Sequence, residues 1–280
     1  MSYDVNNRTI TIDDTTYNVA DDYDGALART RFTLMLDDEP VFEGIEASVD
    51  ADEDASWCDP RKSEANVGTM HVDYPGYRMG DDDAPDPRGR LIACPECNGN
   101  GEIDPECPKC DGLSLVSADP IEWLRREHGA RIILPLFVYE HSGITMRCGD
   151  PIGRKIKPAD FDPRRRFVGD DAGWDTSMVG FIFDTPERVK ECIGKDATDE
   201  QIIDALRCEV RRYAAWLEGD VWGYCVSDSE TGYFDSCGGF IGSYDDCLSE
   251  CFESIELAIR ARLNEMRERQ EMAARDIVTV

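Results

Sequence analysis

Apolar and polar residues alternate from Arg8 to Val19 around Asp13-Asp14. That is the period of a strand with one face in a core and one in water, and it predicts a hairpin. Arg31–Leu36 reads as a strand, Asp37–Pro40 as a turn and Val41–Ile45 as a return strand. Short strand-like pieces among turn residues fill Trp57 to Asp83. Asp119-Pro120 supplies an N-cap and a proline at the first helical position, so a helix is predicted to about His128, stopped by Gly129. The run Ile132–Tyr139 is apolar without alternation, which predicts a buried strand, and Pro135 predicts a sheet edge or a bulge. Met178–Phe183 is a further strand, and Thr185-Pro-Glu opens a short helix to Ile193. Thr198 and Gln201 form a capping box. The helix behind it carries the stripe Ile202, Leu206, Val210, Tyr213 and Leu217 and ends at Gly219. Val221–Val226 and Tyr233–Cys237 flank a polar turn and predict a hairpin. A last helix is expected from Tyr244 past Arg269, with Cys247, Cys251, Ile255 and Ile259 on its apolar face.

These elements add up to an α+β fold: a mixed or antiparallel sheet packed against two or three helices, with an inserted zinc ribbon. The expected divisions are an N-terminal acidic β region at 1–56, a first part of the core at 57–91 and the ribbon at 92–116. The α+β core with its long helix follows at 117–270, and a tail at 271–280. Gly80–Pro87 reads as a solvated linker. Asp81, Asp82 and Asp83 within it lack the spacing of a calcium loop.

The ribbon rests on Cys94-Pro-Glu-Cys97-Asn-Gly-Asn-Gly101 and Cys107-Pro-Lys-Cys110-Asp-Gly112. A Cys-x-x-Cys turn aims two thiolates at one point, and two such turns complete a tetrahedral shell. The intervening loop has no apolar run, so metal must supply its stability. Structural zinc on Cys94, Cys97, Cys107 and Cys110 is therefore expected. A disulfide pair or a redox Cys-x-x-Cys is the alternative, and no thioredoxin-like context supports it. The first half resembles the cysteine-rich repeat of DnaJ-type chaperones; the second departs at Leu113, and no J-domain accompanies it.

Charge changes the picture. The net charge is −29, with aspartate and arginine used in preference to glutamate and lysine. This pattern is that of proteins adapted to high salt, which screens self-repulsion. It is also compatible with an acidic mimic of DNA, for which the acid-rich residues 1–60 are the place to look. Residues 154–166 form a net-basic stretch in which Arg164, Arg165 and Arg166 suit phosphate contact, or pairing with the chain's own carboxylates. No signal peptide is read at the N-terminus, and the longest apolar run is far short of the ~20 residues of a membrane span. The expected setting is the cytoplasm, without a membrane partner and with the remaining eight of twelve cysteines reduced. Oligomeric state is not legible.

Five blocks in order carry a family resemblance: Asn66–Met70 with Tyr77–Asp81, Val138–Met146, Trp174–Phe183, Leu217–Tyr224 and Asp235–Gly242. Over about 57–260 the chain resembles a family of tailed-phage proteins. The resemblance implies a viral or proviral gene, and with the saline composition a haloarchaeal virus; it implies no activity. Where that family places a tryptophan after Asp-Ser-Cys, this chain has Gly238, so a stacking surface is expected to be missing.

Three functional readings follow. A zinc-binding viral accessory protein acts by binding a host or viral macromolecule, a protein partner first and nucleic acid through 154–166 second. An enzyme, hydrolase-like, uses His141 as base or metal ligand with Asp175 or Asp235 as its partner and Cys237 as nucleophile. An acidic DNA mimic inhibits host defence. No phosphate loop, zincin, nucleophile-elbow or deaminase motif is present. Cys225 with Cys237, and Cys247 with Cys251, are read as buried thiols before half-sites for a metal.

Overall fold

The computed structural model describes the chain outside residues 1, 5–7, 13, 25–28, 88–90, 94–95, 97–114, 118, 154–166, 168–174 and 279–280. The first strands are β1 (Ser2–Asp4), β2 (Thr9–Ile12), β3 (Thr15–Asp24), β4 (Arg29–Leu36), β5 (Glu39–Pro40) and β6 (Ile45–Ala51). Then come α1 (Pro60–Ser63), β7 (Gly68–Val72), β8 (Leu91–Ala93), β9 (Leu115–Ser117), α2 (Pro120–Glu127), β10 (Ile133–Glu140), β11 (Ile144–Cys148) and β12 (Thr176–Asp184). The chain finishes with α3 (Pro186–Cys192), α4 (Asp199–Leu217), β13 (Val221–Asp228), β14 (Phe234–Ile241) and α5 (Tyr244–Val278). The class is α+β. The strands form two larger antiparallel sheets where one was expected, and the chain divides into two compact units, 1–58 with 219–280 and 59–218.

The first unit joins both ends of the chain in one sheet, β1-β2-β3-β4-β6-β13-β14, with β5 against β4. The region 1–56 therefore does not stand apart from the expected 117–270 core: β6 pairs with β13, Val49 opposite Tyr224 and Ala47 opposite Val226. Alternation puts Ile10, Ile12, Val19, Phe32, Leu34, Val49 and Val226 on one face, where Cys251, Phe252, Ile255 and Ile259 of α5 cover them. Helix α5 continues to Val278, so 271–280 is largely helix and not a separate tail. Asp228, fully buried, accepts hydrogen bonds from the guanidinium of Arg262, which also donates to the Glu43 carbonyl. This pair anchors α5 to the β13–β14 turn.

The second unit has the sheet β11-β10-β12-β7. The stripe of α4 covers one face through Ile202, Leu206, Val210 and Tyr213, against Leu134, Leu136, Val138 and Ile182. Ile121 and Leu124 of α2 pack against the other face with Ile133, Phe181 and Phe183. Both faces of β10 are thus buried, which is why its sequence does not alternate. Pro135 lies in this interior strand, not at an edge, and the ladder shifts register immediately after it, between Leu136 and Phe137. Gly180 permits β7 to approach β12: a Cβ there would lie 1.9 Å from the His71 carbonyl oxygen. The helix ends match the predicted caps, Asp119 on the N–H groups of Ile121 and Glu122, and Thr198 with Gln201 in a reciprocal box.

The linker reading of Gly80–Pro87 fails at Asp81. Its carboxylate is buried and accepts from Arg61 Nε at 2.7 Å and from Arg61 again at 3.0 Å. Arg61 makes five hydrogen bonds, the others reaching Asn66, Glu209 and the Gly68 carbonyl, so every guanidinium N–H is used. Arg188 adds a second guanidinium on the same Gly68 carbonyl at 2.9 Å.

Two outcomes follow. Arg61→Ala strands two carboxylates away from water and should destabilise the second unit by about 3–5 kcal/mol in urea unfolding; a loss well under 1 kcal/mol would show that water reaches the site. Arg262 holds the Asp228 carboxyl down to about 2. A folded value below the usual ~3.9 means that the pair's contribution is complete above that pH and disappears as pH falls through about 2. The stability gap between the native chain and Asp228→Asn should close over that window; a gap independent of pH would contradict the assignment.

Candidate functional site

His141 follows β10 directly, in the turn to β11. Its Nδ1 lies 3.1 Å from Asp175 Oδ2, and the Glu140 N–H donates to the Asp175 carbonyl at 3.0 Å, so the start of β12 holds the pair together. Alternation along β10 puts Tyr139 and His141 on one face, their rings stacked at 6.2 Å. Tyr139 stacks in turn on Phe167 at 5.4 Å, and the Arg147 guanidinium lies 5.1 Å over the Phe167 ring. On the opposite side Glu140 accepts from the Tyr74 and Tyr77 hydroxyls, both at 2.6 Å. Those bonds hold the Glu140 carboxyl below its ordinary value and push the Tyr74 phenol up to about 12.

Asp175 orients the imidazole. The pair is open, however, with side chains 66% and 42% exposed. Among the described residues nothing excludes water from it, and excluded water is what strengthens acid–base chemistry. Thr145, a neighbour in the sequence reading, donates its hydroxyl to Glu218.

Asp235 and Cys237 belong to the other compact unit, on β14. Asp235 accepts from the Tyr224 hydroxyl at 3.1 Å, and Cys237 is exposed. All three histidines of the chain, His71, His128 and His141, lie in the second unit, so the first has no imidazole of its own to activate Cys237. Cys225 and Cys237 do not face each other as half a metal site would require. Cys225 is opposite Ser236 and Cys237 is opposite Tyr224, one step out of register and hence on opposite faces of the ladder. Cys247 and Cys251 are fully buried in the α5 core, and burial pushes the Cys247 thiol up to about 12. Among the described residues no group of three or more His, Cys, Asp and Glu is arranged to hold a metal. Cys94, Cys97, Cys107 and Cys110, and likewise Arg164, Arg165 and Arg166, lie outside the described residues.

The face of the first sheet opposite α5 is polar and carries an open depression of about 490 Å³, lined by Arg29, Arg31, Glu46, Ser48, Asp50 and Cys225 among others. Asp22 stands opposite Arg31, and Asp24 and Asp50 flank Arg29. Signs therefore alternate across these strands, unlike the uniform row of carboxylates that imitates phosphates. At the β14 edge, the indole of Trp57 lies over Gly238 and Gly239, and Gly239, at φ +83°, has no Cβ to push against the ring. An exposed aromatic surface is thus present beside Gly238, supplied by a residue distant in sequence.

Sequence patterning does not single out Arg61. A scan against protein-family models, a search of curated proteins and a search of solved structures each gave no match. No helix among the described residues is long and apolar enough to cross a membrane.

An open ion pair contributes little to folding. His141→Ala and Asp175→Asn should leave the urea midpoint of the second unit where it is; a fall comparable to that of Arg61→Ala would make the pair part of the framework.

Proposed function

We propose that the chain is a zinc-stapled viral accessory protein that acts by binding a host or viral macromolecule, with the ribbon as the contact element. The observation that carries this reading is the stem β8–β9. Leu91, Ile92 and Ala93 pair antiparallel with Ser117, Val116 and Leu115, so the ladder closes the segment that contains both Cys-x-x-Cys knuckles. Among the described residues the stem is a two-stranded sheet of its own, joined to neither larger sheet. A two-stranded ladder of this kind is marginal in water, and the segment beyond it has no apolar run to pack. Zinc on Cys94, Cys97, Cys107 and Cys110 supplies the missing stability, on the order of 10–16 kcal/mol in small peptides. A metal closed by four thiolates has no open position for substrate, so its role is structural. A segment held by zinc in this way would suit contact with a protein surface better than chemistry.

The enzyme reading keeps one geometric support, the His141–Asp175 hydrogen bond. The openness of that pair weighs against it.

The purified chain should contain about one zinc, and Cys97→Ser with Cys110→Ser should abolish it. Protease cleavage within 92–116 should then accelerate while both compact units keep their cooperative melting. Partners captured with the native chain should be lost with the double variant. A metal-free native chain with a protected ribbon, or collapse of the whole fold in the double variant, would overturn the reading.

A further inference from the structure

Strand β14 is the last of the first sheet and pairs with β13 alone among the described residues. Its other edge is open. The Asp228 N–H donates to the Tyr233 carbonyl at 2.8 Å, and the ladder alternates from there, so Tyr233, Asp235 and Cys237 turn their backbone groups toward β13. The N–H and C=O groups of Phe234 and Ser236 therefore point away from it. The ladder shifts register between Trp222 and Gly223, and Gly239, at φ +83°, bends the strand. The straight part of the edge thus runs from Phe234 to Gly238.

Two aromatic side chains stand along that edge. Phe234 and Gly238, four residues apart, lie on one face of the sheet. Phe234 is 68% exposed. At Gly238 a Cβ would lie 3.5 Å from the Trp57 ring, so the indole stands where a side chain is missing. Trp57 is 62% exposed, and its Nε1–H donates to Asp52 at 3.1 Å, which fixes the ring. All of these residues belong to the first unit. Their surroundings are acidic: the segments 44–60 and 219–250 hold six and seven acids, respectively, and no lysine or arginine. The cations that reach these segments are already engaged, Arg29 by Asp50 and Arg262 by Asp228 and Glu230.

An open strand edge recognises an extended peptide, which adds to the sheet as a further strand. Charge decides the occupant. A second copy would bring the same acids against these, whereas a cationic segment complements them. We propose that β14 binds an extended basic peptide of a partner protein by antiparallel strand addition. Phe234 and Ser236 supply the main-chain hydrogen bonds. An arginine of the peptide lies over the Trp57 ring beside Asp52, and an apolar residue four places further on packs against Phe234. This surface is independent of the zinc reading.

The test is calorimetric titration of the full chain with the peptide acetyl-Lys-Arg-Thr-Val-Thr-Leu-Lys-amide. It should bind saturably, and more weakly as salt is added. The same peptide with glutamate for each basic residue should not bind, nor should one with N-methylvaline at its centre, which cannot donate to the edge. Ser236→Pro removes an outward N–H that β13 does not use, and should weaken binding by roughly tenfold or more. Trp57→Ala should weaken it several-fold. Circular dichroism of both variants separates lost binding from lost fold, and if Ser236→Pro unfolds, the N-methyl peptide and Trp57→Ala decide. No saturable binding overturns the site, as does binding indifferent to N-methylation and to Trp57→Ala. Equal affinity for the glutamate peptide overturns the choice of a basic partner. A dimer in sedimentation that Ser236→Pro dissolves overturns it in favour of a second copy.

Discussion

The guanidinium of Arg61 is the point on which the second unit depends. Its five donors meet Asp81, Asn66, Glu209 and the Gly68 carbonyl, tying the short helix α1 to the start of β7, the loop after it and the middle of α4. Burying a charge is costly unless its hydrogen bonds are complete. Here they are complete, and the acceptors are satisfied in turn: Glu209 also receives the Val67 N–H, and Asp81 the Met70 N–H. Such a network tolerates one geometry. It fixes the strand β7 against β12 and so the sheet from which the His141 turn is built.

The first unit solves the same problem with a simpler device. Its sheet is assembled from the two ends of the chain, and one long helix covers one face. The buried Asp228–Arg262 pair sets where along its length that helix sits. Interior carboxylates thus recur at the places where distant segments meet. Asp184 is a third case: it accepts the N–H groups of Arg131 and Ile132, and burial raises its pKa. In so acidic a chain, the few acids that leave water are those with backbone or guanidinium donors waiting for them.

Arg61, Arg262 and Arg29 are each committed to a carboxylate. The binding chemistry proposed as the chain's function rests on the two Cys-x-x-Cys pairs in the segment that the β8–β9 ladder closes.

Local interactions made much of this legible. The caps at Asp119, Thr185 and Thr198, the stop at Gly129 and Gly219, the α4 stripe and the turns at Asp14 and Ser227–Gly232 are set by neighbours within a few residues, and sequence spacing records them directly. What the tertiary structure decided is what depends on partners far away. It joined β6 to β13, buried Asp81 under Arg61, placed Pro135 inside a sheet, and put Cys225 and Cys237 on opposite faces. It also assigned His141 with Asp175 to one unit and Asp235 with Cys237 to the other. A charge or a thiol reads alike in sequence whether it faces water or a guanidinium, because its environment is made by segments that the local pattern does not contain.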